Sequence, residues 1–390
     1  MKILLYRYGS ICEPDIADTF RSFGLEVLEE TTEITNKNLT PSEQIRILHP
    51  ILEQEHPLFV FSVNFFPAIA EICHVYKTFY LCWTVDCPVP ELFSTAIQWD
   101  TNKIFLFDRA QYEYFHSYNE DGTFHLPLAS KVSRFDHVIS AITSDDTKRF
   151  HDDISFVGSL YSEKNPMHHL PNLPEYLLGY IQGIITASLK VPACHIVEEL
   201  VTPELVSVLK KDTAFYAPTD AITDFDVYIA AHEYLGMQIA ESTRIYTLNT
   251  LAKYFSVSLY TNSDTSPLKN VILHNTVDSL TEMPRVFHLS KINLNMAIPA
   301  IQTGLPLRIF DILGCGGFLI TNYQEELPEL FDIGVDLEAY TSIEELVEKC
   351  DFYLKHDDLR RRIAQNGYDK VKKQHSYENR IAEMLSHIVK

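Results

Sequence analysis

Short apolar runs alternate along this chain with amphipathic segments of helical length, and that alternation restricts the fold more than any other feature. Residues 3–8, 58–63, 79–84 and 104–107 read as strands, and 25–28 reads as a shorter one. Between them, 14–23, 41–55, 67–76 and 109–117 carry helical periodicity, the first with Pro14 in its opening turn and Gly24 as its stop. Strands separated by helices are βαβ units, and a purely parallel sheet needs helices on both faces. The pattern predicts an α/β layer of Rossmann-like type in the first part of the chain. At 390 residues the chain exceeds what one hydrophobic core supports, so a second domain is expected.

The second set of signals begins near residue 151. In DDISFVGSLYSEKN, a strand at 154–157 runs into Gly158 and Ser159. A small-residue turn at a helix start leaves backbone N–H groups free for an anion. Strands are expected at 256–260, 271–274 and 292–296, with a helix at about 226–254 that carries Arg244. Helices at 343–354, 358–371 and from 377 follow, the last with Ser376 as its N-cap. Residues 170–211 break the alternation with a helix-rich segment divided by Pro192 and Pro203, read as a core element or an insertion packed on the sheet.

The stretch TGLPLRIFDILGCGGFLITNYQEEL at 303–327 concentrates the chemistry. Arg308 and Asp311 stand i,i+3 and share a face if the segment is helical. Gly314, Gly316 and Gly317 then mark a tight turn or a close backbone approach. A buried strand is expected at 318–320. A basic and an acidic residue on a short helix at the edge of a parallel sheet suit a nucleotide-bearing ligand. The same residues also read as a helix end, a strand and an ordinary ion pair.

Composition narrows the partners. Thirty-two Lys and Arg against 53 acidic residues give a net charge of −21. That disfavours nonspecific nucleic-acid binding and adhesion to anionic lipid, while leaving room for a local basic pocket. The opening MKILLYRY reads as a strand, with no leader or membrane span. The seven cysteines are scattered without a CxxC pair, which fits reduced thiols in a cytoplasmic protein and no zinc knuckle. Asp145–Asp146 and Asp152–Asp153 are adjacent acids read as solvated surface, no Asp-x-Asp dyad stands at a strand end, and none of the 16 histidines forms H-E-x-x-H. No obligatory metal or other cofactor is expected. Asp86 and Asp108 each follow an apolar strand, where α/β sheets keep their chemistry, although an Asp there also caps the next turn or helix.

Several ordered motifs carry a family likeness. CWTVDCP at 82–88, FLFDRAQYEYF at 105–115, HLPLA at 125–129, FVGSLY at 156–161, KINLNMA at 291–297, LRIFDILGCGGFLIT at 307–321 and LPELF at 327–331 resemble the CgeB-like, spore-maturation group of glycosyltransferases. That group has the GT-B fold, two facing Rossmann-like domains. The resemblance implies an acceptor-side domain at 1–150 and a nucleotide-sugar domain at 151–372 that includes the helical segment 170–211. It also implies a C-terminal helix at 373–390 that crosses back to the first domain, through the stripe Ile381, Met384, Leu385 and Ile388.

The resemblance further implies transfer of a hexose-like sugar from a UDP-, dTDP- or GDP-linked donor, with retention, to a glycan, protein, lipid or small-molecule acceptor. Asp311 takes the place of a family glutamate that grips the ribose, and Thr303 stands where another glutamate touches the donor sugar. Glu325 or Glu326 is expected to reach the nucleotide or sugar instead. Arg308, then Arg244, would neutralise the diphosphate, because a planar guanidinium suits its oxygens. Asp86, Asp108 or His125 would orient the acceptor hydroxyl or accept its proton. Two other readings share this architecture: a non-catalytic nucleotide-sugar-binding or partner protein, and a nucleotide-sugar epimerase.

Overall fold

The computed structural model describes residues 1–170, 173–190, 196–216, 218 and 220–388. Cys194 and Pro192 lie outside the described residues. The chain divides into two compact units. The first comprises Met1–Ala129 with the described residues of 217–224 and 375–390; the second comprises the described residues of 130–216 and 225–374.

The first unit is built on β1 (Lys2–Tyr6), β2 (Glu26–Glu30), β3 (Phe59–Val63), β4 (Phe79–Trp83), β5 (Asn102–Leu106) and β6 (Thr123–His125). All pairs are parallel, in the order β2-β1-β3-β4-β5-β6. β3 is buried at every position, as a strand covered on both faces must be. The C-terminal helix Tyr377–Ser386 belongs to this unit, where the Tyr377 ring meets Trp83 edge-on at 5.8 Å. Ser376 caps that helix through Asn379.

The second unit carries β7 (Ile154–Val157), β8 (Val257–Tyr260), β9 (Ile272–His274), β10 (Ile292–Asn295), β11 (Leu319–Asn322) and β12 (Glu338–Tyr340). These too are parallel, in the order β12-β11-β10-β7-β8-β9. In chain order within the unit this is the doubly wound arrangement of dinucleotide-binding sheets, reversing between β7 and β10. The helices Val132–Ser140 and Ser144–Phe150, which the boundary at 150 leaves in the first domain, pack here against the helix Met283–Leu289. The helix Glu175–Lys190 lies against Gly236–Leu251 and buries Leu177, Ile181, Ile184 and Ile185.

Two sequence expectations need correction. No α-helix starts at the turn that ends β7: the described chain turns through Ser159–Lys164 and a short 3-10 turn at Pro166–His169 before the helix Glu175–Lys190. The small residues there serve a turn, with the Ser159 hydroxyl accepting from Tyr161 N at 2.6 Å. The helix foreseen at 226–254 has a widened, π-helical turn at Ala230–Leu235 and then runs on as Gly236–Leu251. Nothing in the apolar period signals a π turn, which inserts one residue into the helical count.

Candidate functional site

In a doubly wound sheet, helices leave neighbouring strands toward opposite faces at the switch point, opening a crevice past the strand carboxyl ends. In the second unit those ends are Val157 of β7 and Asn295 of β10. Arg244, projecting from the helix Gly236–Leu251, joins the loops that follow them. Its Nη1 donates to Ser159 O at 2.6 Å and its Nη2 to Met296 O at 2.7 Å. The guanidinium also lies 4.5 Å from the Tyr161 ring centroid and 5.3 Å from that of Phe156. Tyr161 itself holds a left-handed backbone, φ 71°, a conformation costly for a bulky residue and concentrated at functional loops.

Arg244 is 9% exposed, and among the described residues no carboxylate pairs with it. Burial pushes its pKa down; Tyr161 opposes that, and the neighbouring positive charge of Arg308 adds to it. An arginine cannot escape by losing its proton, so a buried, uncompensated guanidinium costs on the order of several kcal/mol. An arriving anion repays that cost.

Arg308 enters from the first turn of the helix Leu307–Gly314. Its Nη1 stands 3.6 Å from Asp311 Oδ2, its side chain touches Met283 Sδ, and its guanidinium lies 5.3 Å from the Phe287 ring centroid. Asp311 is 6% exposed on the same helix. The glycines behind them are structural. Gly316, at φ +69°, closes the helix by donating to Leu313 O at 2.9 Å, and a Cβ at Gly317 would lie 2.6 Å from Phe287 O.

The remaining expected donor-side residues are placed as follows. Gly158 N is committed to Tyr260 O at 3.1 Å, and Leu160 N to Ser263 Oγ at 2.7 Å, so these amides are not a free anion cradle. Thr303 Oγ1 donates to Glu326 Oε1 at 2.8 Å while Glu326 N donates to Thr303 O at 3.1 Å. Glu326 is buried and Gln324 holds Ile301 O and Gly304 O, so this set ties down the loop after β10. Glu325 is exposed. Among the paired acids, Asp152 is not simply solvated, since it accepts from Ser258 Oγ and Tyr260 OH. Asp146 completes a capping box with Thr143 and meets Arg285 at 3.0 Å.

The first unit gathers polar groups at the carboxyl ends of β1, β3 and β4. Asn64, left-handed at φ 58°, donates to Tyr8 OH at 2.9 Å and to Asp86 Oδ2 at 2.7 Å, and its Oδ1 accepts from Val85 N at 3.0 Å. Asp86 is exposed. Burial, opposed by its own backbone N–H and reinforced by Asp86, raises the Glu91 carboxyl above its ordinary range. Sequence reasoning missed Glu91 and Asn64; an Asn directly after a buried strand was the available signal for the left-handed turn. Asp108, fully buried, accepts from Gln111 N at 3.1 Å and caps the helix Arg109–His116. His125 ends β6, half-buried, with its ring 6.2 Å from that of Tyr112.

Among the described residues no group of three or more His, Cys, Asp and Glu is placed to hold a metal ion, and no helix is long and apolar enough to cross a membrane.

A family described as glycosyl transferase-like matches residues 245–386. No curated protein sequence matches the chain. Among solved structures, the chain is similar to a glycosyltransferase from Rickettsia africae, with 12% identity, a TM-score of 0.56, and 99% and 97% of the two chains covered. It is similar to HepE of Anabaena in complex with UDP and glucose, at 12% identity and TM-score 0.56, with 99% of each chain covered. Sucrose-phosphate synthase from Thermosynechococcus elongatus matches at 10% identity and TM-score 0.57, over 99% and 98%. The chain shares the fold of these proteins, two parallel-sheet Rossmann-like domains of GT-B type.

Proposed function

We propose that the chain is a glycosyltransferase that takes a sugar from a nucleoside-diphosphate sugar and passes it to an acceptor hydroxyl. The observation that carries this reading is Arg244, a buried guanidinium that no carboxylate among the described residues pairs with, held at the switch point of a nucleotide-type sheet. As the glycosidic bond to the diphosphate breaks, negative charge accumulates on the leaving oxygens. Arg244 and Arg308 stabilise that charge where it develops, and their fixed positions cost no reorganisation. Asp311 accepts from the ribose hydroxyls. Thr303, Glu325 and Glu326 act by shaping the loop against the sugar, with Gly158 and Ser159 forming the turn beside the diphosphate. UDP and glucose bound to HepE support a uridine nucleotide as the first donor to try.

On the acceptor side, Asp86 is the carboxylate we assign to the incoming hydroxyl, ahead of His125 and the buried cap Asp108. The motifs in their observed order favour a retaining enzyme of the CgeB-like group, acting in the cytoplasm. A thermal-shift screen against UDP, dTDP, GDP and CMP, with and without their sugars, tests the reading. A ligand that binds only the native state raises the midpoint by mass action, so one of these should produce a saturable rise. No shift with any nucleotide overturns the proposal. Sugar interconversion without an acceptor would identify an epimerase, and binding without turnover a non-catalytic protein.

A further inference from the structure

A second basic cavity lies at the opposite end of the second sheet from Arg244. Ser290 and Lys291, between the helix Met283–Leu289 and β10, meet Arg360 and Arg361 of the helix Asp357–Gln374 around about 380 Å³ of space. Phe318, just ahead of β11, lines the same cavity. These are the amino ends of β10 and β11, whereas Arg244 bonds the loops past the carboxyl ends of β7 and β10. Among the described residues, no Asp or Glu lines the cavity. Lys291 Nζ meets Asp153 Oδ1 at 2.7 Å, and Arg360, 5% exposed, donates through Nη1 to Asp357 Oδ1 at 2.6 Å and Tyr353 O at 2.9 Å. Arg361 stands 3.9 Å from the same Asp357, beyond hydrogen-bond reach. Two carboxylates therefore face three permanent cations. A separate observation points to a ligand. Ser290 is 5% exposed, and its hydroxyl is buried with no hydrogen-bond partner among the described residues. Buried hydroxyls are rarely left unpaired, so one beside an excess of positive charge calls for an acceptor from outside the chain.

We infer that this cavity binds a small phosphomonoester. A phosphate group offers three strong acceptor oxygens, one each for the Ser290 hydroxyl, the Lys291 ammonium and the Arg361 guanidinium. A carboxylate offers two, and would leave one of those donors unmet. The planar fork of Arg361 suits phosphate oxygens, and its one neighbouring carboxylate is held by Arg360. The volume is well above the roughly 150 Å³ that holds benzene, so the phosphate leaves room for a body of about a pentose's size. The Ser290 hydroxyl is reached only by a group that enters the cavity, which favours a small molecule over a charged surface. None of these side chains belongs to the site assigned to the nucleotide, so the inference stands apart from the transferase reading.

The test is calorimetric titration of the full chain with ribose 5-phosphate and with ribose. Ribose 5-phosphate should bind saturably, and at least about a hundredfold tighter than ribose, because its phosphate makes several charge-assisted hydrogen bonds. Arg361→Gln should weaken it about tenfold and leave UDP affinity in place. Ser290→Ala should weaken it several-fold, while the ligand-free melting temperature stays level or rises, because the lost hydroxyl has no partner to leave behind. A fall in that temperature overturns the role given to Ser290, and Arg361→Gln, on a side chain 77% exposed, then carries the comparison. Absence of saturable ribose 5-phosphate binding, equal binding of ribose, or an affinity untouched by both variants overturns the inference; the last would place the phosphate at Arg244 and Arg308. Binding of UDP without ribose 5-phosphate removes this site alone, and variant-sensitive ribose 5-phosphate binding without any nucleotide removes the transferase reading alone.

Discussion

At the residue scale, the candidate site turns on which charges have partners inside the protein. The sequence ranked Arg308 above Arg244 because spacing reveals a shared helix face and says nothing of burial. The fold makes Arg244 the buried one, bonded to two backbone carbonyls and, among the described residues, paired with no carboxylate, while Arg308 has Asp311 at 3.6 Å. Losing a charge-assisted hydrogen bond costs about 1.5–3 kcal/mol, or roughly 10- to 150-fold in affinity. Arg244→Gln and Arg308→Ala should each weaken UDP by that order and uridine much less, whereas Asp311→Ala should weaken both; calorimetry showing unchanged UDP affinity in all three would remove the assignment. The acidic residues separate by the same logic. Asp86→Asn should cut transfer about 10²-fold with nucleotide affinity kept, as for a lost general base. Asp108→Asn should instead lower stability, because that carboxylate caps a helix from a fully buried position. Equal turnover in wild type and Asp86→Asn, measured with a true acceptor, would exclude Asp86. Glu91 adds a pH dependence. Its carboxyl is raised in the folded state, so the stability it supports is fully present below its ordinary 4.5 and is lost as pH rises through the folded value. Melting temperatures of Glu91→Gln should therefore decline less between pH 4 and pH 8 than those of wild type; parallel declines would refute it.

At the element scale, the helix Leu307–Gly314 shows how a sequence signal can be read correctly and still be ambiguous. The glycines after it were legible as a turn or a close approach, and both occur: Gly316 supplies a left-handed stop, and Gly317 passes under Phe287 O. Both are contacts within the chain, and the cluster ends the helix that presents Arg308 and Asp311. Gly317→Ala would force a Cβ to within 2.6 Å of a backbone oxygen, and overpacking of this kind costs about 1–3 kcal/mol. Its denaturant midpoint should fall with an unchanged slope, and a midpoint equal to wild type would show that the strand and helix shift freely. Other elements escaped the sequence for physical reasons. β12 is three residues with a Glu at its start, too short for a period, and its buried Glu338 is tolerated because Lys349 and Tyr353 reach it. Small residues after a strand serve a helix start and a turn equally, and after β7 the hydroxyls of Ser263 and Ser159 accept from the amides of Leu160 and Tyr161 and hold a turn.

At the scale of the whole molecule, the alternation of strand and helix was enough to foresee two parallel α/β sheets, since each half repeats it over several units. Strand order was not legible, because pairing depends on contacts far apart in sequence. It matters here: the order in the second unit puts the switch point between β7 and β10, and so decides that residues 159 and 296 share one guanidinium. A chain with net charge −21 draws no anion through its general field, so a nucleotide must be attracted by this local excess of positive charge. The groups that we assign to the diphosphate all lie in the second unit, whereas both tryptophans, Trp83 and Trp99, lie in the first. Amide hydrogen exchange with saturating UDP should therefore slow most in 158–163 and 296–311. A ligand suppresses local opening where it makes its contacts, and the added protection approaches RT ln(1 + [L]/Kd), about 2.7 kcal/mol at a hundredfold excess over Kd. Native-state tryptophan emission, reporting on the first unit, should change little in the same titration. Protection confined to residues 1–129 would place the nucleotide on the other sheet, where Asn64 bonds Asp86 and Asp86 raises the Glu91 carboxyl, and the assignment of Arg244 would fall with it.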